Sequence, residues 1–130
     1  MKKALLFLCC LPQLALAASG AWHASAPGPG LLNRGMQLSS PPLKATESVA
    51  GAITEISWRY TLAGPMPSGF AVWLCAETRC VPLDGASGAT RGLTNLQAGE
   101  TLHFVYGMQG QGRLPAVLHV LSNEVMVNYQ

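Results

Sequence analysis

The chain has 130 residues, 49% of them apolar and only 11% charged, with eight Lys/Arg against six Asp/Glu. That length supports one modest domain with a core of its own. The positive excess resides in Lys2 and Lys3, and the six remaining basic residues balance the acids, so neither nucleic acid nor an anionic membrane surface is an expected partner.

The first seventeen residues, MKKALLFLCCLPQLALA, have the order of a secretory signal peptide: two lysines, an apolar run from Ala4 to Leu11, and the small-x-small signal Ala15-Leu16-Ala17. Pro12 and Gln13 cut the run too short for a membrane span. Leu8 before Cys9 lacks the small residue that a lipoprotein site requires. Cleavage before Ala18 is therefore expected, releasing a chain into an oxidising space with no direct membrane insertion. It would leave Cys75 and Cys80 as the only cysteines.

Residues 18–30, ASGAWHASAPGPG, are small and rich in Gly and Pro, and they read as an extended, flexible N-terminal arm. Trp22 has two readings there. It folds back and fills a groove, or it anchors on a partner; a large apolar ring left in water favours the first.

From Leu31 to Gln130 the pattern is that of strands. In ITEISWRYTL, Ile56, Trp58, Tyr60 and Leu62 point one way, while Glu55, Ser57, Arg59 and Thr61 point the other. The turn GPMPSG (64–69) ends that strand. FAVWLC then sets Phe70, Val72 and Leu74 against Trp73 and Cys75, and the return strand CVPLDG has Pro82 marking an edge or a bulge. GASGATRG (85–92) reads as loop. TLHFVYG alternates with Leu102, Phe104 and Tyr106 inward. In LPAVLHVLSNEVMVNYQ, Ser122-Asn123 turns the chain into a last strand, or the whole stretch is one long bent strand. Short strands punctuated by Gly and Pro, with no helical period, indicate an all-β antiparallel β-sandwich of immunoglobulin-like architecture over 31–130.

Cys75 and Cys80 flank Ala76-Glu77-Thr78-Arg79, a span that suits a four-residue hairpin loop. In an oxidising compartment a structural disulfide is the first reading. A zinc site would need further ligands, for which His103 and His119 are distant candidates, and a redox couple would favour C-x-x-C ahead of a helix. No catalytic group stands out. Ser87 in GASGA misses the G-x-S-x-G elbow, the carboxylates are scattered, and GMQGQG (107–112) lacks the order and the helix of a phosphate cradle. No cofactor and no metal is expected. A binding or chaperone-type module fits better, offering sheet edges and a face that carries Trp73.

Several motifs, taken in order, resemble the FlhE family of flagellar proteins: GAW at 20–22, NRG at 33–35, WRY at 58–60 with GPMPSG after it, LCAETRCVPLDGASGAT at 74–90, GRLPA at 112–116 and SNEVMVNYQ at 122–130. The resemblance implies a β-sandwich in the periplasm and a role in flagellum biogenesis without catalysis. It also implies partners among rod or hook subunits or the export gate, either as a chaperone that prevents periplasmic flagella or as a guard against proton leakage. Cys75 and Cys80 match the family's cysteine pair, in keeping with the staple. A carbohydrate-binding sandwich directed at peptidoglycan, with Trp73 and Arg59 on one face, is the alternative. Trp22 and Trp73 are the candidate partner contacts, and open sheet edges leave room for a homodimer.

Overall fold

The computed structural model describes residues 19–130, so the expected signal peptide lies outside the described residues. Nine strands follow in chain order: β1 (Gly20–Ala26), β2 (Gly30–Asn33), β3 (Gln37–Ser39), β4 (Ile53–Leu62), β5 (Phe70–Cys75), β6 (Cys80–Pro82), β7 (Ser87–Thr90), β8 (His103–Met108) and β9 (Arg113–Tyr129). They form two antiparallel sheets. One runs β1-β9-β4-β7 with β2 also on β9; the other runs β3-β8-β5-β6. The all-β sandwich expected from the alternating pattern is the fold observed.

The two inner faces supply the core. Ile56, Trp58 and Tyr60 from β4 and Val125 and Val127 from β9 meet Val72 and Leu74 from β5 and Phe104 and Tyr106 from β8, all of them buried. Tyr60 presents its edge to the rings of Phe70, Phe104 and Tyr106, with centroids 6.2, 6.4 and 5.8 Å away. Such edge-to-face contacts add to the area buried by each ring.

β9 is the long bent strand of the two readings. Leu118 and Val120 face inward before Leu121, and Asn123, Val125 and Val127 face inward after Ser122. The inward set passes from even to odd positions because one residue is extra. Leu62 pairs with Val120 and Thr61 with Ser122, so Leu121 bulges out of the ladder.

Two segments depart from the expected layout. Residues 20–26 are an ordered strand along β9, with Gly20 opposite Tyr129 and Ala26 opposite Asn123, so the sandwich begins at Gly20 instead of Leu31. A flexible arm was expected because Gly, Ala and Ser carry no visible apolar period; the pairing comes from a strand a hundred residues away. Within GASGATRG, residues 87–90 form β7 beside β4. Gly88 lies opposite Trp58, and a Cβ there would come within 2.7 Å of the indole ring. Only glycine lets the strand cross that ring.

Candidate interaction surface

The two tryptophans singled out from sequence have different surroundings. Trp22 points inward from β1, is buried, and its Nε1–H donates to Ala98 O at 2.7 Å. The first of its two readings fits this burial: the ring fills the core below β1 and its one polar atom is satisfied. Trp73 is half-buried on the outer face of the second sheet, with Val105 and Pro82 as its cross-strand neighbours. It lines a cleft of about 200 Å³ with Met36, Gln37, Gly107 and Gln109.

Arg59 does not join Trp73. It is exposed on β4 in the other sheet, because the 64–69 turn carries the chain from one layer to the opposite one. The pair invoked for a glycan face is thus split across the sandwich. His103 and His119 likewise fall on β8 and β9 in different sheets, and no cluster of three or more metal-ligating side chains occurs among the described residues.

Cys75 and Cys80 are directly opposite each other at the end of the β5–β6 hairpin and are joined by a disulfide. The hairpin loop is also held from outside. Arg79 Nη1 donates to Gly92 O and Thr94 O at 3.1 and 3.0 Å, and Glu77 N–H donates to Glu100 Oε2 at 3.3 Å. Pro82 sits on β6, the edge strand of its sheet, where its missing N–H breaks no ladder. Arg34 plays a similar part at the far end, donating from Nη1 to Ser68 O at 2.9 Å and Gln109 O at 3.2 Å. It ties the 64–69 turn to the 109–112 loop.

The feature sequence reading missed is the outer side of β9. Val117, Leu121 and Met126 are 42%, 56% and 47% exposed, three of five large apolar side chains so exposed among the described residues. Beside Val117 the ladder opens. Ala63 N–H donates to His119 O, then the turn carries the chain away, so Arg113–Leu118 of β9 has β2 on one side and no strand on the other. An apolar groove of about 300 Å³ occupies the gap, lined by Ala63, Pro65, Pro67, Leu114, Pro115 and Val117 among others. The alternation of LPAVLHVL did signal a half-exposed strand; that β4 would stop short of it was not readable locally.

Two tyrosines titrate abnormally. Burial holds the Tyr60 hydroxyl above the ordinary phenol range. Burial pushes Tyr106 further up, and the neighbouring Tyr60 adds to it. Neither is a general base at neutral pH.

The chain is thus of the class of small two-sheet all-β proteins with a short-range disulfide staple, whose distinctive features are surfaces. Comparison with known proteins specifies it further. Residues 28–130 match the model of the family described as Flagellar protein FlhE. The chain is 48% identical over 114 residues to the flagellar protein FlhE of Salmonella typhimurium, covering 88% of each. It is 43% identical to that of Escherichia coli K12, over 98% of this chain and 99% of the relative. A solved structure titled as the crystal structure of FLHE superposes with a TM-score of 0.85 at 48% identity, covering 88% of this chain and 99% of that one. The chain belongs to the FlhE family of flagellar proteins.

Proposed function

We propose that the protein is a non-catalytic accessory of flagellum biogenesis that works in the periplasm after removal of residues 1–17. In this reading it binds a rod or hook subunit, as a chaperone limiting periplasmic flagellum growth, or it binds the export gate, as a guard against proton leakage. Family membership supports the flagellar role. The observation that carries the binding reading is the pair of exposed apolar side chains Val117 and Leu121 by the groove at the open end of β9. Exposed apolar side chains next to unpaired backbone suit an extended or helical segment of another protein.

The test is site-specific photo-crosslinking in flagellated cells. A benzophenone side chain at Val117 is expected to capture a flagellar protein identifiable by mass spectrometry, and one at Arg59 is not. Capture of a rod or hook subunit selects the chaperone role, and capture of a gate protein selects the guard. Absence of any flagellar protein at Val117 contradicts the reading.

A further inference from the structure

The first sheet ends on β1, and the backbone of β1 is bonded on one side only. The ladder itself fixes which groups are left over. Ala52 and Gln130 exchange both backbone hydrogen bonds, each 3.0 Å, and Thr54 Oγ1–H donates to Asn128 O at 3.1 Å. Backbone direction alternates along a strand, so the even residues at this end of β9 turn toward β4. The odd ones, Asn123, Val125, Val127 and Tyr129, turn toward β1, where their partners are Ala26, Ala24, Trp22 and Gly20. Ala21, His23 and Ser25 therefore direct three N–H and three C=O groups outward. No backbone group among the described residues bonds to them.

All three residues are exposed, and a cleft of about 330 Å³ runs beside the edge between β1 and residues 45–49. Within the strand itself the usual protections of an edge are lacking: it carries no Lys, Arg, Asp, Glu or Pro and no irregularity in its register. Pro27, the next residue of the outward set, has no N–H and closes the window.

We propose that this edge pairs with the same edge of a second copy, forming a two-fold dimer in which the two β1 strands lie antiparallel about His23. In that register His23 exchanges both bonds with its counterpart, and Ala21 of each copy does so with Ser25 of the other. All three outward donors and all three acceptors of each copy are then used, and Pro27 stays outside. Sliding one strand by two residues toward the C-termini sets Pro27 opposite Ala21 and loses donors; sliding it the other way leaves Ser25 to pair with Ser19, which lies outside the strand. The edge is thus most complementary to itself. No Lys, Arg, Asp or Glu meets across the axis, and the inward Trp22, Ala24 and Ala26 of the two copies line up along one widened sheet. The contact is narrow, so the dimer is reversible and depends on concentration.

Analytical ultracentrifugation of the purified chain is expected to show a monomer–dimer equilibrium. Residues exchanging both bonds lie about 5.5 Å apart at Cα, within disulfide reach. His23→Cys should therefore form an intermolecular disulfide under mild oxidation, with Arg59→Cys on the outer face of β4 as the negative control. Ser25→Pro removes one outward donor per copy, hence two bonds per dimer, and should weaken association by roughly tenfold or more at an unchanged unfolding midpoint. Ala21→Pro replaces it if that variant does not fold. A chain that stays monomeric up to its solubility limit overturns the proposal. So does a dimer that both proline variants leave intact, or one that His23→Cys fails to cross-link.

Discussion

Tyr106 buries its hydroxyl in the aromatic cluster with no hydrogen-bond partner among the described residues. A buried polar atom without a partner costs free energy, so Tyr106→Phe should leave stability unchanged or raise it by about 1 kcal/mol in urea unfolding. The same residue gives a pH signature. Its folded-state phenol is raised by burial, as is that of Tyr60, while in the unfolded chain both ionise near about 10. Unfolding then releases protons, so their contribution is full below that value and is lost as pH rises above it. Stability should fall above about pH 10, and Tyr106→Phe should soften the decline. Trp22 provides the opposite test. Trp22→Ala removes a buried ring and strands Ala98 O, and should cost about 3–5 kcal/mol. A loss well under 1 kcal/mol would mean that the ring is not part of the core.

At the scale of elements, the bulge in β9 makes a sharp prediction. Removing Leu121 joins Val120 to Ser122, which restores strict alternation while keeping Leu118, Val120, Asn123, Val125 and Val127 inward. That deletion should fold, with circular dichroism close to the parent. Removing Met126 instead would turn Val127 outward and should abolish cooperative unfolding. The hairpin staple is worth less. Replacing Cys75 and Cys80 together by Ser should cost about 2 kcal/mol, since the ring is short and the clamps from Arg79 and Glu77 remain. What was legible in the sequence follows the same physics. β4, β5 and β8 were readable because their apolar residues are large and alternate. β1 and β7 were not, because GAWHASA and SGAT alternate among Ala, Gly and Ser, and their strand character comes from distant partners. The parity change within β9 was visible as Leu118 and Val120 against Val125 and Val127. Without knowing the neighbouring strands, a turn and a bulge explained it equally well.

For the whole molecule, the motifs that carry the family resemblance prove largely architectural. Arg34 of NRG ties two loops together, Gly88 of the 74–90 stretch makes room for Trp58, and Cys75, Cys80 and Arg79 fix one hairpin. The surface proposed for binding falls partly within these motifs, since Pro65 and Pro67 of GPMPSG and Leu114 and Pro115 of GRLPA line the groove. Val117 and Leu121 lie outside the motifs, and an alternating pattern gives them no special mark. Sequence therefore identified the family and its sandwich more readily than the face proposed to meet a partner. It also nominated Trp22, whose aromatic character reflects burial. The measurement that tests the central claim most directly is calorimetric titration of the purified chain against the flagellar protein captured at Val117. The account predicts saturable binding that Val117→Asp weakens at least roughly tenfold, while Arg59→Asp on β4 leaves it unchanged. Equal affinity for all three proteins would place the contact elsewhere and contradict the assignment of β9 as the docking face.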